Sequence, residues 1–109
     1  MGGDLLQGTV ELMVLKALSL EPMHGWGLGQ RLDQMSGDVI TLPHGSLYPA
    51  LQRLEARGFI DAEWGTSDNN RKAKYYRLTP AGRKHLTRDR SRWELLVRAA
   101  GRVLGPAAE

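Results

Sequence analysis

Residues 44–82 constrain the fold most, because the spacing of apolar residues changes there from helical to strand-like within a few positions. Leucines recur at three- and four-residue intervals between positions 47 and 54, and this periodicity ends at Gly58, a residue type that favours helix ends. One alternating run follows at 59–64, and a second ends at Leu78; the turn-forming sequence GTSDNN lies between them. This order predicts a helix followed by a two-stranded β-hairpin.

The alternation also assigns the two faces of the hairpin. Ile60, Ala62 and Trp64 point to one side of the first strand, and the residues between them point to the other. Tyr76 and Leu78 continue the first side after the turn. We therefore expect these five residues to form the inner face of the hairpin.

The helix before the hairpin has two candidate starts. Ser46 is a good N-cap and would place Pro49 in the first turn, where proline is tolerated. Thr41 with Pro43 offers an earlier start, at the cost of a kink near Pro49. A start at 43–46 is favoured, and the register stays open.

Three further helices are predicted from apolar periodicity, at about 5–20, 24–35 and 80–104. The last one opens with Thr79 and Pro80, a capping residue followed by a proline at the first helical position. The first one carries a stripe at three- and four-residue spacings: Leu6, Val10, Met13, Val14, Ala17 and Leu18. Other leucines widen this apolar surface around the helix, so a partner chain is the expected cover for part of it.

The charges of the chain are strongly polarised. Residues 71–92 carry a net charge of +8, whereas residues 1–70 carry −5 and residues 93–109 carry none. The cations of the basic segment are Arg71, Lys72, Lys74, Arg77, Arg83, Lys84, Arg88, Arg90 and Arg92. A concentration of one sign suits a polyanionic partner better than a small neutral one.

A helix followed by a basic hairpin is the order of elements in a winged helix-turn-helix, which places one helix in a DNA groove and a loop on the neighbouring backbone. We expect a mainly α fold with a small β-hairpin: a winged helix-turn-helix plus a C-terminal dimerisation helix. The winged region covers 1–79, the last helix 80–104 and a tail 105–109. The expected partner is double-stranded DNA.

Candidate DNA contacts come from the third helix and from the hairpin. Ser46, Tyr48 and Gln52 supply hydrogen-bonding groups along roughly one face of the helix, although Ser46 could simply cap it and Tyr48 could pack in the core. Arg53 is placed to reach a phosphate. The hairpin adds cations that flank its turn: Arg71, Lys72 and Lys74.

The last helix carries an apolar seam that predicts a homodimer. Leu86, Trp93 and Ala100 are seven residues apart, and Leu96 and Val103 occupy the other half of the heptad. Two heptads are too few for a long coiled coil, but they are enough for one short helix to pack against another.

Several other classes of function are disfavoured. Absence of cysteine removes disulfides, thiolate metal sites and cysteine nucleophiles. The histidines at 24, 44 and 85 have no metal-ligand spacing, and neither a nucleophile elbow nor an orienting acid accompanies them. We expect no enzyme activity, no metal and no cofactor. The apolar run at 5–20 is too short and too charged for a membrane span and lacks a basic leader, so a cytoplasmic protein is expected.

The chain resembles PadR-family transcriptional regulators, in particular the short members with a single C-terminal helix. The matching segments are LLQGTVELMVLKALS (5–19), HGWGLGQRL (24–32), GSLYPALQRLEARGFI (45–60) and NNRKAKYYRLTPAGR (69–83). With the final helix, the resemblance covers nearly all of residues 5–104. Trp26 departs from the pattern, since tyrosine is more usual there, and its larger ring is expected to change packing rather than DNA contact.

The resemblance implies a dimeric repressor whose third helix lies in the major groove and whose wing touches backbone or minor groove. By motif, Ser46 and Tyr48 would lie at the DNA-facing start of the reading helix. Asn70, Arg71 and Lys72 would form the DNA edge of the wing.

Some family members bind flat aromatic compounds at the dimer interface, where a tryptophan of the last helix stacks on them. Trp93 is the candidate for such a site here, although a tryptophan on an apolar seam is most often simply core. The leading hypothesis is a homodimeric repressor on a near-palindromic operator, with a small aromatic effector. The alternative is a winged-helix interaction module that docks an acidic protein through its basic face.

Overall fold

The computed structural model describes residues 2–106, with side chains from residue 8 onward. Four helices and a small three-stranded antiparallel sheet confirm the predicted mainly α fold. The elements are α1 (Gly2–Leu20), β1 (Met23–His24), α2 (Gly25–Met35), α3 (His44–Ala56), β2 (Ile60–Thr66), β3 (Lys72–Leu78) and α4 (Pro80–Leu104). The side chain of Leu6 and the end of the expected tail, 107–109, lie outside the described residues.

The core lies where α1, α2 and α3 meet the sheet. α1 contributes Val14, Ala17 and Leu18 of the predicted stripe to it, and the sheet contributes Ile60 and Tyr76. The buried cluster contains Val14, Leu15, Ala17, Leu18, Leu28, Leu32, Leu47, Leu51, Leu54, Ile60 and Tyr76. Met35, expected on the apolar face of α2, is 47% exposed because it lies in the last turn, beyond this cluster.

The sheet contains one strand more than the predicted hairpin. β2 and β3 pair from Ile60 opposite Leu78 to Thr66 opposite Lys72. The additional strand, β1, pairs with the other edge of β3, where Met23 faces Tyr76. Two residues are too few to show alternation, so the sequence carries no readable signal for this strand.

The favoured start of the third helix at 43–46 is confirmed, and of the two candidate starts Ser46 is not the one that caps the helix. α3 begins earlier, at His44, with Pro43 as the N-cap residue, and the carbonyl of Pro43 accepts hydrogen bonds from the N–H groups of Ser46 and Leu47. Pro49 therefore lies in the second turn. The hydroxyl of Ser46 makes no cap bond, and this side chain is exposed at the start of the helix.

The expectation that Trp64 packs inward with Ile60 is right about its face but wrong about its burial. Trp64 lies opposite Lys74 on the same side of the hairpin as Ile60, yet 61% of its surface is exposed. Trp64 lies in the outer part of the hairpin, residues 64–74, which we call the wing.

A close contact fixes α4 against the base of the wing. A Cβ built on Gly82 would lie 1.9 Å from the carbonyl oxygen of Phe59, so only glycine fits there. Thr79 caps α4 as predicted, since its hydroxyl accepts from the N–H of Gly82 and donates to the carbonyl of Gly58 at 2.7 Å. The chain leaves α3 through Gly58, whose φ of +79° suits glycine.

Candidate nucleic-acid interface

α3 presents a polar surface opposite its buried leucines. Gln52 lies near the middle of the exposed side, because it is about half a turn from the buried row at 47, 51 and 54. Tyr48 and Ser46 are also exposed and lie on opposite flanks of that side. The three predicted contacts thus spread across the exposed surface of the helix rather than along one line.

The ring of Tyr48 is held by a contact with α2. A Cβ on Gly25 would lie 2.7 Å from this ring, so the glycine allows Tyr48 to rest on the backbone of α2. His44 packs edge-on against the same ring, with centroids 5.4 Å apart. Tyr48 remains 39% exposed, which places it at the surface of α3 and not in the core.

Arg53 binds a carboxylate within its own chain. Its Nε lies 2.9 Å from Oε2 of Glu11 on α1, and Arg57 approaches the other oxygen at 3.8 Å. Glu11 is only 7% exposed, so losing these partners would leave a buried, uncompensated charge and destabilise the fold. This pair anchors α3 to α1. The predicted contact of Arg53 with a phosphate stays a prediction, and Glu11 is a residue that sequence reasoning did not assign.

The tip of the wing is a compact turn that leaves its cations outside. The carbonyl of Ser67 accepts a hydrogen bond from the backbone N–H of Asn70, and the backbone N–H of Ser67 donates to the carbonyl of Arg71 at 2.8 Å. Asn70 adopts a φ of +63°, which asparagine tolerates better than most residues. Arg71 and Lys72 are exposed, and neither forms an ion pair within the described part of the chain.

Lys74 differs from these two cations. Its ammonium lies 3.2 Å from Oε1 of Glu55 on α3 and 5.6 Å from the centroid of the Tyr76 ring. The contact holds this side of the wing next to α3. The carboxylate of Glu55 therefore partly neutralises the charge of Lys74.

The second half of α4 is exposed along its whole length, residues 91–104. Trp93 and Leu96, two residues of the predicted seam, are 39% and 42% exposed. Ala100 and Val103 lie on the same stripe, as do Val97 and Leu104, which the heptad pattern omitted. Leu86 differs, because it packs against the core of its own chain.

The first half of α4 connects to the end of α3 through stacked side chains. The ring of His85 lies parallel to Phe59 with centroids 4.1 Å apart, and Arg57 covers the Phe59 ring at 4.7 Å. Nε2 of His85 lies 2.9 Å from Asp89. Burial lowers the pKa of His85 below its ordinary value of 6.5, although the charge of Asp89 acts in the opposite direction.

Further cations lie where α4 begins. Arg83, Lys84 and Thr87 line a shallow cavity with Leu78 and Pro80. Sequence reasoning counted these charges but assigned them no site. Within residues 2–106, no helix is long and apolar enough to cross a membrane, and no group of three His, Asp or Glu side chains is suited to a metal ion.

Comparisons with known proteins assign the chain to a family. The model of the PadR-like family of transcriptional regulators matches residues 14–88. The transcriptional regulator Rv3488 of Mycobacterium tuberculosis is 39% identical over 95 residues, which cover 87% of this chain and 85% of the relative.

Solved structures agree with this assignment. A PadR-family transcriptional regulator from Eggerthella lenta has a TM-score of 0.78 and 31% identity, over 98% of this chain and 91% of its own. A transcriptional regulator from Clostridium thermocellum shares the fold with a TM-score of 0.84, at 24% identity over 94% of this chain and 99% of its own. The fold and the exposed basic wing define a winged-helix DNA-binding protein. The chain belongs to the PadR-like family of transcriptional regulators.

Proposed function

We propose that the protein is a homodimeric, sequence-specific DNA-binding repressor that acts on a near-palindromic operator. One observation carries the proposal: the exposed polar side of α3 lies beside a wing whose tip cations, Arg71 and Lys72, have no acidic partner in the described chain. Lys and Arg side chains that have no acidic partner in the protein are free to neutralise DNA phosphates, and these two lie beside the proposed reading helix.

Each element has its own part in this interface. α3 enters the major groove, where Gln52 is the residue best placed to read a base edge, since glutamine can bond the N6 and N7 atoms of adenine. Ser46 and Tyr48 on the flanks contact phosphates and fix the register of the helix. Asn70, Arg71 and Lys72 contact the backbone beside that groove, with a smaller share from Lys74 and Arg53.

The exposed stripe of α4 supports the homodimer. A helix with half-exposed Trp93 and Leu96 gains stability when a second copy covers it. Two-fold symmetry then presents two reading helices to half-sites about one helical turn apart, roughly 34 Å. Repression follows sterically, because the bound dimer occupies DNA that the transcription machinery needs.

Trp93 also supports an effector site at this interface. A tryptophan beside the two-fold axis fills the seam when the site is empty and stacks on a planar aromatic guest when one binds. Such a guest changes repression only if it binds the DNA-competent and DNA-incompetent arrangements of the dimer unequally.

The direct test is selection of bound sequences from a pool of random duplexes with the purified protein. We expect an inverted repeat whose half-site centres lie about 10–10.5 base pairs apart. A pool without enrichment would reject sequence-specific binding. If the protein also fails to shift random duplex DNA at low salt, the basic surface serves an acidic protein instead.

A further inference from the structure

Trp64 is the aromatic residue of the wing, and 61% of its surface is exposed. Its partner across the hairpin is Lys74, and the ammonium of Lys72 lies over its ring, 5.1 Å from the centroid. Single exposed apolar residues are common on protein surfaces and carry no meaning alone. The cation that lies over the exposed ring distinguishes Trp64 from such residues.

The position of Trp64 follows from its neighbours. Lys74 contacts Glu55 of α3, so this side of the wing is turned toward the reading helix. Because Trp64 pairs with Lys74 on that same side, the indole lies between α3 and the cations of the wing tip. A duplex that touches both α3 and the tip passes over it.

Two lysines on this side of the wing lie over aromatic rings, and they differ in one respect. Lys74 lies over Tyr76 and is also paired with Glu55. Lys72 lies over Trp64 and has no carboxylate partner within residues 8–106. A ring can orient an ammonium without neutralising it, so Lys72 keeps its full charge available for an external anion.

Orientation matters for a lysine because its long side chain loses considerable rotamer freedom when it is fixed. A residue that holds the side chain in place before binding reduces this loss at the moment of binding. We propose that Trp64 is a positioning residue for DNA binding: its ring holds the Lys72 ammonium at the edge of the wing for contact with a phosphate. This inference rests on the proposed contact between the wing and DNA, and it deepens that proposal.

A double-mutant cycle tests the inference, with a random-sequence DNA duplex as the probe and fluorescence anisotropy as the readout over a range of salt concentrations. Trp64→Leu should weaken binding about 2- to 5-fold per wing, which is about 4- to 25-fold for a dimer, from the strength of an exposed cation–π contact. Lys72→Gln should also weaken binding and should lower the magnitude of the salt slope by about two, one phosphate contact for each subunit.

Three further results distinguish positioning from a structural role. The combined variant should bind like Lys72→Gln alone, because Trp64 acts through Lys72. Trp64→Phe should retain most of the affinity, since it keeps a ring beneath the ammonium. Trp64→Leu should leave the salt slope near the wild-type value, because the charge of Lys72 is still present. Thermal unfolding of each variant checks that the exposed position has not altered the fold.

The possible failures are separable. If Lys72→Gln leaves both affinity and salt slope unchanged, the proposed wing contact itself is wrong. If Lys72→Gln weakens binding and Trp64→Leu does not, the wing contact stands and the positioning role is overturned. The role is also overturned if Trp64→Leu weakens binding equally in the presence and absence of Lys72.

Discussion

The exposed stripe on α4 leads to a quantitative prediction for the combined variant Trp93→Ala and Leu96→Ala. Trp93 is 39% exposed and Leu96 is 42% exposed in the single chain. A large aromatic side chain covers about 150–250 Å² when buried, so covering the rest of Trp93 contributes about 1.5–2.5 kcal/mol at about 25 cal/mol per Å². The exposed part of Leu96 adds about 0.6–1.3 kcal/mol on the same basis.

Two-fold symmetry doubles this loss to about 4–8 kcal/mol for the dimer, which weakens dimerisation by roughly three to six orders of magnitude. Light scattering after size-exclusion chromatography should therefore show monomers at micromolar concentrations at which the wild-type protein is dimeric. Circular dichroism should show that the monomer is folded, because both side chains lie outside the buried core.

Leu95→Ala is a matched control for the same helix. Leu95 is 61% exposed and lies away from the stripe, so its truncation should leave the dimer intact. A double variant of Trp93 and Leu96 that still scatters light as a dimer would refute the seam, and with it the proposed geometry of the two reading helices.

Two predictions concern the stability of the fold. Gly82→Ala should lower the free energy of unfolding by about 2–3 kcal/mol in denaturant titrations, because its Cβ meets the Phe59 carbonyl; Gly101→Ala, whose Cβ meets nothing, should raise it by about 0.5–1 kcal/mol. Because the pKa of His85 is lowered in the folded state, the unfolded chain binds more protons, so the free energy of unfolding should fall as pH drops below about 6.5. His85→Gln should reduce the pH dependence of the free energy of unfolding, and an unchanged pH profile would refute the lowered pKa of His85 as its cause.

Much of the fold could be predicted because apolar residues recur at helical spacings in all four helices. The start of α3 is harder to predict, since Ser46 and Thr41 with Pro43 both offer acceptable beginnings. The structure uses the carbonyl of Pro43 instead of the Ser46 hydroxyl. β1 could not be predicted, because two residues are too few to show alternation and their partners in β3 lie far away in the sequence.

Some features of the candidate site could also be predicted from the sequence, and others could not. The wing cations were predictable because a run of like charge at a turn is visible in sequence. The partner of Arg53 was not, since Glu11 is 42 residues away on another helix. The exposure of Trp64 also depends on where the body of the protein ends, and alternation along a strand contains no information about that.

The measurement that tests the central claim most directly is the salt dependence of DNA binding by Arg71→Gln combined with Lys72→Gln. If each subunit neutralises about three or four phosphates, the wild-type dimer should show a log–log slope of roughly −5 to −7. The double variant removes about four contacts from the dimer, so its slope should fall to roughly −2 to −3, with weaker binding to all sequences alike.

Arg77→Gln is the control, because this cation lies on the opposite side of the hairpin and is paired with Asp61 at 2.7 Å. It should leave the slope near the wild-type value. A double variant whose slope and affinity match those of the wild-type protein would contradict the claim that the cations at the wing tip bind the DNA backbone.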